Sequence, residues 1–491
     1  VSRTLSLRPA ATLRPLVLLG SLMLALTAYR IWAIGHLGLD LFVDEAQYWF
    51  WSTELAWGYY SKPPAIALLI KITTAVFGDG PLGVKAPALL LQALSPFVAY
   101  AIGNQVVGPR TGFWAALAVA TAPVVAGLAV FVSTDSPLIF FWLLGAFALL
   151  NAIERDRWRD WLLLGACVGL GLLSKYTMVA FGLSAALALL LLPRGRARLA
   201  SLRPWIAVAL ALALFAPNVL WNARLGFPTF VHVAEITHQA SPQGGLGTAA
   251  EFLVGQWALT GPVLGTVAVL ALLRLGGWLR HEQLAVLALL TAPLLGIGVV
   301  QAWRGGANVN WAAPSLVMAA LFAVIMLARA DRWRLIAAGV AINLLLGVLV
   351  LQWPDLVRAS GNELTSRNDP FKRMRGWSAL MTPVQAAVAQ HPNAMVVAVD
   401  RELLSQIAYH VRPAQFAAWH PGGRPNNHFQ LTRPLAPEFR GEVLLVHWDS
   451  APAVVERFGT AQVLVQHVVP VVPGLQRRIE VVLLREFKGY P

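Results

Sequence analysis

Apolar runs long enough to cross a bilayer recur along this chain at roughly 12–35, 84–106, 112–131, 136–153, 160–175, 177–193, 203–221, 252–273, 283–302, 311–328 and 333–353. That pattern predicts an α-helical polytopic membrane protein with about eleven spans, an odd number that puts the two termini on opposite sides. The pair at 160–193, broken at Ser174-Lys175-Tyr176-Thr177, is the least sharply defined. Two polar-edged segments between runs are too long to be connectors. The first, 36–83, contains Trp49, Trp51, Trp57, Tyr59 and Tyr60 and a short apolar stretch at 63–77, and predicts two helices lying in the membrane interface. The second, 222–251, carries Arg224, His232, Glu235, His238 and Glu251.

Beyond Pro354 the pattern changes to mixed polarity. Met395 to Val399, Val443 to Val446 and Glu480 to Leu484 predict buried strands, and 377–390 and 401–410 predict helices. Two domains follow: 1–353, a transmembrane domain, and 354–491, a compact α/β domain outside the bilayer, long enough for its own core.

Composition agrees with this picture, since 57% of the 491 residues are hydrophobic and only 13% are charged. A lone cysteine, Cys167, rules out an intrachain disulfide. The net charge of +14 would suggest nucleic acid in a soluble protein, but here it collects in short loops. With a cytoplasmic N-terminus, the inner segments hold Arg3, Arg8, Arg110, Arg155, Arg157, Arg159, Arg194, Arg196, Arg198, Arg274, Arg280, Arg329 and Arg332. The opposite side holds only Lys62, Lys71, Lys175, Arg224 and Arg304, so the excess of inner positive charge sets the orientation as N inside, C outside. Arg3, Arg8 and Arg14 before the first run imitate a secretory signal; the run to about Trp32 is long enough to span and reads as a retained helix.

Candidate chemistry lies on the outer side. Asp44 and Glu45 adjoin an apolar stretch where carboxylates are costly without partners or work. They read either as catalytic acids or as a helix cap with dipole compensation. Lys62, before Pro63 and Pro64 at a helix start, either reaches a lipid phosphate or snorkels to the interface. Lys175, Arg224 and Arg304 are further outer cations for a phosphate site or for anchoring helix ends. Asp135 opens the fourth span as site acid or N-cap, and Asn310 stands at another outer helix start. His232, Glu235 and His238 have metal-ligand spacing on one helical face, and a divalent metal is the only cofactor the chain suggests.

Six ordered stretches carry a family resemblance across about residues 40–315: Asp44-Glu45-Ala46-Gln47-Tyr48-Trp49, Gly58-Tyr59-Tyr60-Ser61-Lys62-Pro63-Pro64, Ser133-Thr134-Asp135-Ser136-Pro137, Ser174-Lys175-Tyr176, Pro217-Asn218-Val219-Leu220-Trp221-Asn222 and Asn310-Trp311-Ala312-Ala313-Pro314. The chain resembles the membrane glycosyltransferases of the GT-C fold, in the bacterial branch related to protein O-mannosyltransferases and to the lipid A aminoarabinose transferase. The resemblance implies an inverting enzyme of the bacterial inner membrane with its active site on the outer face. Its donor would be a polyprenyl-phosphate-linked sugar (undecaprenyl phosphate being the bacterial carrier) and its acceptor an envelope glycolipid such as lipopolysaccharide, a glycan or a protein. It further implies that Asp44 is the base, Lys62 a donor-phosphate ligand and Asp135 a second pocket acid, with Tyr59, Tyr60, Asn222 and Asn310 as sugar or acceptor contacts. Ser61 stands where the aminoarabinose transferase has a metal-binding glutamate, so that metal site and that enzyme's acceptor are not carried over. A flippase or transporter of lipid-linked sugars is the main competing class and would require repeats and broken helices with polar groups near the bilayer midplane. A non-catalytic scaffold would tolerate loss of Asp44.

Overall fold

The computed structural model describes residues 9–238, 244–274 and 278–490, the side chains of 9–13 and of His238 excepted; Arg3 and Arg8 lie outside it. Its helices are α1 (Pro9–Leu37), α2 (Val43–Thr53), α3 (Ala65–Phe77), α4 (Pro81–Val106), α5 (Pro109–Thr121), α6 (Pro123–Leu128), α7 (Asp135–Arg155), α8 (Trp158–Ser174), α9 (Val179–Leu191), α10 (Pro193–Arg198) and α11 (Leu202–Arg224). They continue with α12 (Pro228–His238), α13 (Leu246–Thr260), α14 (Pro262–Leu273), α15 (Glu282–Arg304), α16 (Ala313–Arg329) and α17 (Trp333–Ala359). Proline opens α4, α5, α6, α10 and α14, where its missing N–H has no intrahelical partner to lose. The bundle closes around α16, in which 15 of 17 residues are buried, the all-round burial expected of a central apolar helix.

Seven helices among the described residues are long and apolar enough to cross a membrane: those at 14–37, 81–106, 135–155, 202–224, 282–304, 309–329 and 333–359. The other four predicted spans are shorter or broken. Pro123 divides 112–131 into α5 and α6, α8 has 17 residues, and 177–193 is the short helix Tyr176–Leu191. The run at 252–273 becomes α13 and α14, which meet at 118°. Gly261 makes that bend with φ 99°, and Asn343 donates from Nδ2 to the freed Thr260 carbonyl at 3.2 Å. A Cβ on Gly261 would lie 1.9 Å from Asn343 Oδ1.

The C-terminal part contains a five-stranded sheet in the order β2-β1-β3-β5-β4, with β1 (Met395–Ala398), β2 (Phe416–Ala418), β3 (Val443–His447), β4 (Phe458–Val472) and β5 (Leu475–Phe487). The first three are parallel, and β5 runs antiparallel between β3 and β4. The expected strands fall in β1, β3 and β5; the three-residue β2 and the largely exposed edge strand β4 are not among them. Both predicted helices form as well, as α18 (Trp377–Gln390) and α19 (Arg401–Gln406), the latter ending in a π-turn at Ile407–Val411.

The 36–83 segment does form two helices, yet α2 is enclosed by protein instead of presenting an apolar face outward. Nine of its 11 residues are buried, and Trp49, Phe50 and Trp51 join the core of the sheet domain, against Tyr409, Phe416 and Phe429. Of the predicted interfacial aromatics only Trp57 is exposed. Beneath α2, Lys85 of α4 donates to both oxygens of Glu45 at 2.7 and 2.6 Å, with both side chains at 0% exposure. Glu45 also accepts from Val132 N (2.7 Å) and Phe42 N (2.8 Å), and Lys85 donates to Val130 O (3.0 Å). The helix-capping role therefore belongs to Glu45, not Asp44.

Two stability predictions follow from these contacts. Gly261→Ala should lower stability by about 1–3 kcal/mol, the range for a residue forced into such backbone geometry, and a thermal-shift curve in detergent matching wild type would refute it. Lys85→Met alone strands a buried carboxylate and should cost about 3–5 kcal/mol. The pair Glu45→Gln/Lys85→Met, which keeps an acceptor for Val132 N, should recover part of the lost melting temperature; additive losses would show that the charges are not coupled.

Candidate active site

A cavity of about 580 Å³ lies between the ends of the bundle helices and the loop at 370–374, and it collects Asp44, Lys62, Asp135, Lys175, Asn308, Asn310, Trp311 and Arg373. The lining also includes an apolar set: Pro123, Val124, Gly127, Leu128 and Phe131 from the α6 region, and Leu259 from α13. The lining therefore offers polar contacts for anionic and hydroxylic groups as well as apolar contacts for hydrocarbon.

Asp44 sits in the first turn of α2, with its side chain 39% exposed. Arg401, at the start of α19, donates through Nη1 to Asp44 Oδ1 and to Gln47 Oε1, both at 2.7 Å. No protein donor among the described residues reaches Asp44 Oδ2. Asp135 opens α7 and is buried; Lys175 donates to its Oδ1 at 2.6 Å and Asn310 to its Oδ2 at 3.0 Å. Lys175 can make that reach because it stands in extended conformation immediately after α8. Lys62 is half-buried, and no carboxylate of the described residues lies within ion-pairing distance of it. Burial pushes its ammonium below the usual lysine range, and the neighbouring Lys175 adds to the effect against the opposing pull of Asp44 and Asp135. A phosphate arriving beside Lys62 would supply the counter-charge it lacks.

The structure thus gathers Asp44, Lys62, Asp135, Lys175 and Asn310 at one cavity and separates the other candidates from it. Glu45 is enclosed by Lys85 and two backbone amides, so it has no free oxygen to react. Arg224 and Arg304 are exposed at the ends of α11 and α15, and neither lines the cavity. Tyr59 is buried, stacked on Trp51 with its hydroxyl donating to Trp51 O; burial pushes that hydroxyl up to about 12. Tyr60 is also buried and packs on His232 with ring centroids 5.1 Å apart.

Asn222 is occupied too. Its Nδ2 donates to Asn218 O and Tyr176 Oη, and its Oδ1 accepts from Thr229 N. Asn218 in turn donates to Trp57 O at 2.7 Å, and Thr229 Oγ1 to Tyr59 O at 2.7 Å. These residues hold the 57–60 loop in front of Lys62, and Gly58 is required there because a Cβ would come within 2.4 Å of the Trp221 ring. Glu235 pairs with Arg424 at 3.1 Å, and no group of three metal-ligating side chains occurs among the described residues; the side chain of His238 is outside them. His232 is held below the usual histidine range by burial, with Lys62 adding to it. The third residue of that predicted set, His238, thus lies outside the described side chains.

Sequence reasoning missed Arg401 and Arg373. Both belong to the C-terminal part, far from Asp44 in the chain, where nothing in the local pattern marks one arginine above another.

Residues 61–221 match the family model described as dolichyl-phosphate-mannose-protein mannosyltransferase. The chain is 29% identical over 432 residues to the lipid A galacturonosyltransferase RgtD of Rhizobium johnstonii, covering 87% of this chain and 89% of that protein. It is 33% identical over 122 residues to the undecaprenyl phosphate-alpha-4-amino-4-deoxy-L-arabinose arabinosyl transferase of Pseudomonas aeruginosa, a match that spans 24% of this chain and 22% of the relative. In three dimensions it resembles ArnT from Cupriavidus metallidurans, including the form bound to undecaprenyl phosphate, with a TM-score of 0.64 at 15% identity over 95% of this chain and 97% of that one. The chain thus has the GT-C membrane fold and is similar in sequence to a lipid A galacturonosyltransferase over most of its length, and to the aminoarabinosyl transferase and the protein mannosyltransferase family over shorter stretches.

Proposed function

We propose that this enzyme moves a sugar from a polyprenyl phosphate to a hydroxyl of an envelope lipid, glycan or protein, with inversion at the anomeric carbon, and that lipid A or lipopolysaccharide is the favoured acceptor. The observation that carries the reading is the cavity itself. Its lining combines Asp44, one of whose oxygens has no protein donor among the described residues, and Lys62, which has no carboxylate partner among them, with a set of apolar side chains. The relatives named for lipid A and for undecaprenyl phosphate support the choice of acceptor and carrier.

In this mechanism the acceptor hydroxyl attacks the anomeric carbon while Asp44 Oδ2 takes its proton. The bond from that carbon to the phosphate oxygen breaks, and the electron pair leaves with the prenyl phosphate, whose charge grows by one. Lys62 stabilises that charge as a compact cation, with Lys175 held nearby by Asp135. Asn310 and Asp135 together offer hydrogen bonds to the sugar. A uronic acid is the sugar that the charges favour. Lys62 and Arg373 both line the cavity without a carboxylate partner among the described residues, which suits one phosphodiester and one further anionic group. RgtD is named for a galacturonosyl transfer.

A transport function would use a broken helix near the midplane. The break at Gly261 exists, but the Asn343 amide there is bonded to Thr260 O, and the charged residues gather at helix ends instead. Turnover by purified protein with an undecaprenyl-phosphate uronic acid and lipid A is the direct test. Asp44→Asn should reduce it by about 10²- to 10⁴-fold with donor binding retained, and Lys62→Ala should raise the donor concentration required. Wild-type turnover by Asp44→Asn at every pH would remove Asp44 from the chemistry, and equal use of a neutral donor sugar would remove the uronic acid.

The proposed orientation has the N-terminus in the cytoplasm and the cavity and C-terminal domain (354–491) outside. It is supported by α7 and α8, which carry Asp135 and Lys175 at the cavity and Arg155, Arg157 and Arg159 at or beside their opposite ends. A reporter fused after Ala330 should read as cytoplasmic and one fused at Pro491 as periplasmic; a cytoplasmic C-terminus would overturn the assignment.

A further inference from the structure

We infer that Arg401, supplied by the C-terminal domain, is the positioning residue that holds Asp44 in its reactive orientation, so that this domain completes the active site. The inference rests on the reading of Asp44 as the base.

Arg401 Nη1 bridges Asp44 Oδ1 and Gln47 Oε1 at 2.7 Å each, two side chains nearly one helical turn apart on α2. A short aspartate on a first-turn residue would otherwise sample several rotamers. The bridge fixes one oxygen of this cavity-lining residue and leaves the other, Oδ2, without a protein donor among the described residues. Arg401 itself does not line the cavity, so it acts through Asp44. The C-terminal domain is tied to the same stretch of chain by further contacts. Gln406 Nε2 donates to Leu41 O at 3.1 Å, and Trp377 N donates to Asp40 Oδ2 at 2.7 Å, both within a few residues of Asp44. Two more arginines of the same domain pair with acids of the same outer segment, Arg412 with Asp79 and Arg433 with Glu54. Those two pairs lie away from the cavity and clamp the segment; only the Arg401 pair touches a cavity residue.

The test is a double-mutant cycle on the purified full-length enzyme with its lipid-linked donor. Arg401→Ala should lower kcat by about 10²-fold, the scale of a reacting group displaced by an ångström, with donor affinity unchanged and a monodisperse, cooperatively melting protein. Arg401→Lys keeps the charge but loses the planar fork and should fall between the two. Added guanidinium chloride should restore turnover to Arg401→Ala, a rescue that a purely structural role would not show. In an Asp44→Asn background, Arg401→Ala should cause no further loss beyond about twofold, because its effect passes through the missing carboxylate. Wild-type or increased turnover by Arg401→Ala, a multiplicative loss in the Asp44→Asn background, or no rescue would overturn the inference. If instead Asp44→Asn itself turned over normally, the base assignment would fail first, an outcome readily told apart from failure of Arg401 alone.

Discussion

The ion pair between Glu45 and Lys85 is the constraint on which the rest of the site depends. Both side chains are shut off from solvent, so neither charge tolerates loss of the other, and the low dielectric around them makes their separation expensive. Because Glu45 also accepts from Phe42 N and Val132 N while Lys85 donates to Val130 O, the pair ties three separate pieces of chain at one point. Those pieces are the start of α2, the N-terminal end of α4 and the turn that leads to Asp135. Asp44 is the residue next to Glu45, and Asp135 lies three residues beyond Val132. The two acids of the cavity are therefore placed by a bond that neither of them makes.

A second layer of support comes from outside the bundle. The aromatic residues of α2 belong to the same core as the sheet domain, with Phe50 against Phe416 and Phe429 and Trp49 against Tyr409. The 36–83 segment is thus fixed between the membrane helices on one side and the sheet on the other. Large rigid aromatics suit that seam because they bury much area with few torsions to freeze. The arginines that accompany them add charge pairs at the rim of the same contact.

Within the cavity, charge is divided between paired and unpaired groups. Asp135 is balanced by Lys175, and Asp44 by Arg401, while Lys62 and Arg373 have no carboxylate among the described residues. The paired groups set geometry, and the unpaired cations set what the cavity can take up. Burial already depresses the Lys62 ammonium, so an incoming anion relieves an existing electrostatic penalty and does not have to displace a resident carboxylate.

Fold class was legible in the sequence because bilayer spans are long, apolar and local: Pro81–Val106, Asp135–Arg155 and Trp333–Ala359 are each written in one continuous stretch. Two of the four spans that departed from expectation did so at single residues, Pro123 and Gly261, where a backbone break leaves overall hydrophobicity untouched, and the other two are simply short. Asp44, Lys62 and Asp135 could be picked out because a charge beside an apolar run demands an explanation. What such a charge does is a different matter. Adjacent carboxylates on α2 project in different directions, so only the tertiary structure could give Glu45 to Lys85 and Asp44 to the cavity. Asn222, Tyr59 and Tyr60 read as ligand contacts in one dimension and are supports in three, since their polar groups and rings meet partners distant in sequence. Arg401 was invisible for the same reason: pairing across 357 positions leaves no local pattern, and only folding brings that guanidinium to the one carboxylate it orients.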